Sequence, residues 1–352
     1  MSRGPDPKAG PVLVTGGAGF IGANLADSLA QDGFEVRLFD SLARPGVARN
    51  VAWLASRHGP AIRLLRGDVR DGEAISRALE DAQAVFHLAA QVAVTTSLEN
   101  PRSDFEINAL GTLNLLEALR ARQDPPPLLF ASTNKIYGPL RGLNLQRFAY
   151  GWRPVDPALD AAGVSERQPL ELRTPYGCSK GAAEQYVLDY AASYGLPVCV
   201  LRLSCVYGKR QMGGEDQGWV AHFARSALQG QPVTIFGDGL QVRDVLDVRD
   251  AVAAFRGCWR RLEAVRGEAF NLGGGPANAV SITELIEFLE ERLGRGLAVR
   301  RQPPRPGDQR WFVADSRVLR ARLSLPAPRP WREGVSALLG WLSQEAASEA
   351  AA

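Results

Sequence analysis

The sequence predicts an α/β fold for its 352 residues, a doubly wound parallel sheet with a smaller C-terminal α/β part. Three observations carry that expectation. Short apolar runs alternate with amphipathic stretches of helical length through the first 205 residues, the pattern of βαβ units and a parallel sheet. The first apolar run ends in a glycine cluster that opens a helix. Past about residue 205 the alternation loosens, so the remainder reads as an extension of the core and not as a second independent domain.

The elements follow in order. Val12-Leu-Val-Thr15 is a buried-strand pattern, and the helix after it runs to about Ala30. Glu35–Asp40, Ile62–Asp68, Ala84–Ala90, Pro127–Ser132 and Pro197–Leu203 read as further strands. Between them, Asp104 to Arg122 is a helix with Phe105, Leu113, Leu116 and Leu119 in its apolar stripe. Later, Pro232–Phe236 is a short strand, and Ser281-Ile-Thr-Glu284 is a capping box opening a helix to about Leu293. Prolines at 303–306 and 326–330 mark loops, and Trp331 to Ser343 is the last helix. No internal repeat is visible. In a sheet wound this way, ligands are expected at the strand C-termini.

Composition excludes several classes. With 45% hydrophobic and 22% charged residues, the chain can bury a large core and is not disordered. Forty-one Lys+Arg against thirty-eight Asp+Glu leave a charge of +3, too balanced for a nucleic-acid footprint. Only four of those cations are lysine: Lys8, Lys135, Lys180 and Lys209. Against such an arginine bias, which fits a GC-rich coding sequence, a retained lysine is a candidate for a position that arginine cannot fill, because lysine titrates and arginine does not. No apolar run reaches the roughly 18–20 residues of a membrane span. Cys178, Cys199, Cys205 and Cys258 form no CxxC, and the histidines at 58, 87 and 222 are scattered, so no metal is expected. The expectation is a cytoplasmic protein with no nucleic-acid or membrane partner.

Thr15-Gly-Gly-Ala-Gly-Phe-Ile-Gly22 follows the first strand directly and opens a helix. Its spacing puts Gly16 at a tight turn, Gly19 where backbone meets a pyrophosphate, and Gly22 at the helix–strand contact. A phosphate there sits on the helix N-terminal amides. Asp40 ends the second strand, where a carboxylate accepts from an adenosine ribose 2′-OH and repels a 2′-phosphate. NAD is therefore the expected cofactor, in a Rossmann-type fold. Gly67-Asp68-Val69 brackets the adenine in this reading, although Asp68 suits equally the cap of the next helix. Phe20, Ile21, Leu88, Ala89, Ala90 and Ser132 complete the expected cofactor pocket. The expected organisation is a flexible tail at 1–10, an NAD-binding core at 11–205, a mainly substrate-binding part at 206–344 interleaved with it, and a second flexible tail at 345–352.

Tyr176-Gly-Cys-Ser-Lys180 places a tyrosine and a lysine on one helical face, one turn apart. A phenol is a poor base at its ordinary pKa of roughly 10. A nearby ammonium and a bound nicotinamide cation both favour the phenolate, which then takes a proton from an alcohol. Thr133, closing Ala131-Ser132-Thr133, would hold the reacting hydroxyl.

On these residues the chain resembles a known family. TGGAGFIG, the downstream YGCSK and Val206-Tyr-Gly208 are similar to the extended short-chain dehydrogenase/reductases, the NAD-dependent nucleotide-sugar epimerases and dehydratases. The likeness spans Val12 to about Trp341. It implies a tightly held NAD, reduced and reoxidised each turnover, and a nucleotide-sugar substrate. Sugar 4,6-dehydratases carry Thr-Asp-Glu where this chain has Thr133-Asn134-Lys135, so the carboxylate pair for eliminating water is missing. Longer strings resemble the CDP-tyvelose (CDP-paratose) 2-epimerases, among them AQVAVTTS from Ala90, FEIN from Phe105, STNKIYG from Ser132, PYGCSKGAA from Pro175, DQGWV from Asp216 and QVRDVL from Gln241. That resemblance implies oxidation at C2, turning of the 2-keto sugar, and hydride return to its other face. Val164-Ser-Glu-Arg167 departs from the aromatic-Asp-Glu run usual there.

The same resemblance implies a substrate site of Gln91, Thr133, Asn134, Lys135, Ser204, Gln217, Trp219, Arg243, Arg305 and Asp308, with the two arginines on the diphosphate. Thr95 joins Gln91 as pocket wall. The long segment from Gly138 to Thr174 is expected to be an ordered cover over the sugar. Helices Asp104–Arg122 and Tyr176–Tyr194 are apolar on more than one face, which fits a homodimer or homotetramer. Two other readings stay open: a 4-epimerase or other nucleotide-sugar oxidoreductase of the same fold, and a catalytically idle dinucleotide-binding sensor.

Overall fold

The computed structural model describes residues 5–305 and 308–350. Seven parallel strands form the central sheet: β1 Val12–Thr15, β2 Val36–Asp40, β3 Ile62–Arg66, β4 Ala84–His87, β5 Leu128–Thr133, β6 Val198–Leu203 and β7 Ala269–Leu272. Their order is β7-β6-β5-β4-β1-β2-β3. β1 pairs with β2 on one side and β4 on the other, Val12 standing beside both Val36 and Ala84. The winding reverses at that point, which opens a crevice beyond the C-terminal end of β1.

Both faces of the sheet are covered, which is why its strands read as continuous apolar runs. One layer holds helix α1, Phe20–Gln31, with helices Ala48–His58 and Val248–Arg260, and packs through Leu25, Leu29, Leu54, Phe255 and Trp259. The opposite layer holds helices Gly72–Ala78 and Gly111–Arg120 with the long α2, Thr174–Tyr194, packing through Ile75, Leu115, Leu116, Val187 and Tyr190.

Several elements differ from the sequence reading. β7 was not anticipated: its four residues AFNL, bounded by Glu268 and a glycine run, are too short to give a periodic signal. The expected Asp104–Arg122 helix starts earlier, at Pro101, because the Asn100 side chain accepts the Ser103 N–H at 3.1 Å. It also contains a π-helical turn, Glu106–Leu110, before resuming as Gly111–Arg120. The last helix runs from Trp331 to Ala350, past Ser343 and into the expected tail, and Glu345 pairs there with Arg210 at 3.7 Å. Its alanine- and glutamate-rich end is strongly helix-forming. At the other terminus Asp6 is tied down by Gln83, which accepts its N–H at 3.3 Å and donates to its carbonyl at 2.8 Å.

The C-terminal part is interleaved with the core. Strand Val242–Asp247 pairs with Cys205–Tyr207, Ala279–Ser281 and Trp311–Phe312, beside a two-stranded pair of Val233–Phe236 and Val299–Gln302. The capping box at Ser281 and Glu284 forms as expected and opens helix Ile282–Leu293.

The segment after Gly138 is ordered, with a hairpin of Leu145–Arg147 and Trp152–Pro154 and a helix, Pro157–Ala162. Its apolar residues face the strands of the C-terminal part and do not form the expected cover. Leu143, Leu145, Trp152, Leu159 and Val164 pack against Val242, Trp311 and Phe312, and none of the segment lines either large cavity. Among the described residues, no helix is long and apolar enough to cross a membrane.

Candidate active site

At the C-terminal end of β1 lies a cavity of 630 Å³. Every residue expected to hold the dinucleotide lines it: Gly16, Gly19, Phe20, Ile21, Gly22, Asp40, Asp68, Val69, Leu88, Ala89, Ala90, Ser132, Tyr176 and Lys180. The glycines are required by geometry. Gly16 has φ +69°, and a Cβ there would stand 2.7 Å from the Ala89 nitrogen. A Cβ on Gly22 would lie 2.3 Å from the Gly16 carbonyl oxygen. The backbone thus folds into a close cradle against the first turn of α1, whose free amides suit a pyrophosphate.

Asp40 is fixed by two backbone donors, Ala18 N–H at 3.0 Å and Leu42 N–H at 2.8 Å. Those bonds leave lone pairs for a ribose diol, and burial raises its pKa above the ordinary value. Asp68 is gripped by the Arg70 fork at 3.0 and 2.6 Å, and that bonding holds its pKa below the ordinary value. It does not cap the following helix. Asp71 does, accepting the Ala74 N–H at 3.0 Å. The cradle, the acceptor at Asp40 and the cavity together fit a dinucleotide.

Tyr176 and Lys180 lie on α2, both buried, with Thr133 at the end of β5 beside the tyrosine. The Lys180 ammonium stands 4.2 Å above the Phe130 ring. Burial lowers Lys180 to about 7, opposed by the carboxylates of Glu184 and Asp104. Burial also raises the Tyr176 phenol to about 12, with Thr133 pulling the other way. Lys180 is expected from the sequence to lower the phenol, but in the protein itself burial dominates and the Asp104 carboxylate adds to it.

A second cavity of 390 Å³ opens from the same tyrosine. Thr133, Asn134, Lys135, Ser204, Gln217, Trp219, Arg243, Arg305 and Asp308 line it, as does Thr95. Gln91 does not. Its side chain is turned to the Ala93 carbonyl at 2.8 Å, which leaves it on the dinucleotide side.

The two arginines are partly engaged within the protein. Arg243 donates to the Val242 carbonyl at 2.8 Å, Asp308 at 2.7 Å and the Gln309 carbonyl at 2.5 Å. Arg305 stacks 3.8 Å over Phe236 and pairs with Asp216 at 3.4 Å. Ser204 gives its hydroxyl proton to Asp244. Lys135 is lowered by burial and by Arg243, with Asp308 and Cys205 opposing. Among the described residues, Asn134 Nδ2, Thr95 Oγ1, Gln91 Oε1, Gln211 Oε1 and Gln241 Oε1 are buried polar atoms with no partner, and all belong to residues lining the two cavities. Such atoms mark where a polar ligand completes the structure.

Sequence reasoning missed Gln211, Phe236 and the Gln241 side chain as lining residues. Only the packing of Arg305 on Phe236 makes the latter visible. No group of three or more His, Cys, Asp or Glu among the described residues has the arrangement of a metal site.

The sequence profile of the NAD dependent epimerase/dehydratase family matches residues 12–273. The chain is similar to the CDP-paratose 2-epimerase of Salmonella typhi, 39% identical over 339 residues that cover 94% of this chain and 99% of that protein. A putative UDP-glucose 4-epimerase of Methanocaldococcus jannaschii is 32% identical over 336 residues, 94% of this chain and 98% of that one. Among solved structures, the UDP-glucose 4-epimerase of Thermus thermophilus in complex with NAD aligns at a TM-score of 0.79 and 35% identity, covering 95% of this chain and 99% of the other.

Proposed function

The chain belongs to the NAD dependent epimerase/dehydratase family and is an NAD-dependent epimerase, and from that premise we propose that it inverts C2 of a CDP-activated sugar through a 2-keto intermediate. The observation that carries this reading is the 39% identity, end to end, with a CDP-paratose 2-epimerase. The residues after β5 support it chemically. Asn134 and Lys135 cannot act as the paired carboxylates of a dehydration, whereas Thr133 and Tyr176 suffice for the proton transfer that accompanies oxidation and reduction.

In this mechanism Gly16, Gly19 and Gly22 hold the dinucleotide pyrophosphate and Asp40 its adenosine ribose. NAD, when bound, supplies the site that takes hydride from the sugar carbon and gives it back. Thr133 holds the reacting hydroxyl against Tyr176. Tyr176, as phenolate, accepts the hydroxyl proton when the carbonyl forms and returns it when the alcohol is restored. Lys180 supplies the positive charge that favours the phenolate. Arg243 and Arg305 hold the diphosphate while the keto sugar turns within the second cavity. The exposed rings of Phe105, Tyr186 and Tyr194, on α2 and the short helix beside it, support a homodimer or homotetramer.

The test is a panel of CDP-, UDP- and GDP-sugars, with product stereochemistry read by NMR. A CDP-sugar should yield its 2-epimer without added NAD and without net NADH. Accumulation of NADH, or a product altered only at C4, would overturn the reading. The second outcome would favour the 4-epimerase alternative, to which the Methanocaldococcus and Thermus relatives lend support.

A further inference from the structure

Four ionisable side chains are buried together behind the tyrosine: Lys180 and Glu184 on α2, Arg202 on β6, and Asp104 in the short helix Pro101–Phe105. Their hydrogen bonds divide them unequally. Glu184 is already bound by a cation, since its Oε1 accepts from Arg202 Nε at 2.9 Å and Nη2 at 2.6 Å. Its Oε2 accepts the Ser132 hydroxyl at 2.5 Å. Asp104, wholly buried, has only neutral donors: the Ser179 hydroxyl at 2.5 Å and the Asn108 amide at 3.2 Å.

Among the described residues, neither Asp104 nor Lys180 has an ion pair within 4.0 Å. Arg202 and Glu184 answer each other. That leaves one buried cation and one buried anion in the cluster, and the anion acts on the tyrosine as well. The remaining titratable neighbour of Lys180 is His87, which burial, and then Lys180 itself, depress to about 3, so it is neutral.

We propose that Asp104 is the counter-charge of Lys180, a positioning residue that keeps the ammonium ionised beside Tyr176 without touching substrate. The fold builds the arrangement from two pieces. Ser179 precedes Lys180 on α2 and gives its proton to Asp104. The π-helical turn Glu106–Leu110 carries Asn108, whose amide donates to Asp104, to the Ser179 oxygen at 3.1 Å and to the Gln91 carbonyl at 3.1 Å. π turns recur at functional sites, and this one keys a helix to the catalytic helix. A buried ammonium with no anion nearby gives up its proton in preference to staying charged. The charge of Asp104 also faces Tyr176 and raises its phenol. Both titrations therefore depend on Asp104 in the same direction. The inference rests on reading Tyr176 and Lys180 as the proton-handling pair, but not on the carbon or the nucleotide.

Four lysines in the chain make the test direct. In NAD-bound protein labelled with ¹³C at lysine Cε, the Lys180 signal is identified by its absence in Lys180→Met. In Asp104→Asn its titration midpoint should fall by about one pH unit or more, tenfold in ionisation constant. Ser179→Ala removes the best donor to Asp104, so that the carboxylate takes up a proton more readily and carries less charge, and should move the midpoint the same way by about two- to threefold. This second variant also serves if the first does not fold.

With a nucleotide-sugar substrate, the whole bell-shaped pH profile of kcat for Asp104→Asn should shift toward acid. A merely structural role would scale the profile without moving it. A Lys180 midpoint unchanged in every folded variant overturns the proposal. If the parent enzyme turns over no nucleotide sugar, the functional reading fails while the NMR titration still decides the role of Asp104.

Discussion

In the proposed mechanism Tyr176 carries the proton, so Tyr176→Phe should lower turnover by at least about 10²- to 10⁴-fold. Because the ring and its burial are kept, the variant should retain NAD, measured by absorbance of the denatured supernatant. Unchanged kcat would remove Tyr176 from the mechanism. At this scale the sequence was most legible where a residue type is forced by chemistry. Gly16 and Gly22 are such positions, since no side chain fits the space and Gly16 also needs a positive φ. Legibility failed where a side chain's direction depends on which of several available partners it takes. Gln91 has its backbone N–H held by Asn108 of the π-helical turn and its side chain turned to the Ala93 carbonyl, and Asp68 is drawn to Arg70 so that Asp71 takes the cap. Phe236 and Gln211 reach the cavities from segments with no local motif.

The turn from β1 into α1 is the element on which cofactor binding depends. Gly22→Ala would push a methyl to within 2.3 Å of the Gly16 carbonyl, with the Gly17 Cα at 2.8 Å, so the turn must open. The expected cost is about 1–3 kcal/mol of stability together with loss of bound NAD, read by thermal melts with and without the dinucleotide. A second element-scale expectation concerns α2 and the helix beside it. Phe105, Tyr186 and Tyr194 are 55%, 49% and 53% exposed on these two helices, an apolar surface suited to an isologous contact with a second copy. Replacing Phe105 and Tyr186 by polar residues should yield monomers in sedimentation velocity. An assembly unchanged by both would move the interface elsewhere. Helices and strands with full amphipathic or apolar periods were readable, whereas the π turn was not, because one inserted residue barely disturbs an i, i+4 pattern. β7 escaped for the opposite reason: in four residues there is no period to read.

For the whole molecule, two buried groups oppose each other in acid. His87, bonded to Thr15 at 2.6 Å and Thr112 at 3.1 Å, is held down to about 3 by burial. A depressed value means its contribution is fully present above about 6.5 and is lost as pH falls toward 3. Asp244, wholly buried beneath Ser204, is raised by burial to about 6. Its contribution is present below about 3.8 and is lost as pH rises through 6. Between pH 6 and 4 the two slopes largely offset. In His87→Gln, urea melts should therefore show stability rising as pH falls through that window. A slope identical to that of the parent would show that His87 does not titrate in the fold.

β7 has one further consequence, for the order in which the chain can assemble as it is made. The outer edge of β6 stays unpaired until residue 272 has emerged, and Phe255, Trp259 and Phe270 close the same layer. A nascent chain that ends near residue 205 thus presents an open strand edge and an uncovered apolar face. Expressed alone, that fragment should be insoluble or bind chaperones, and adding residues through the Arg317–Leu323 helix, which supplies Leu319 and Leu323 to the same layer, should restore a cooperative melt.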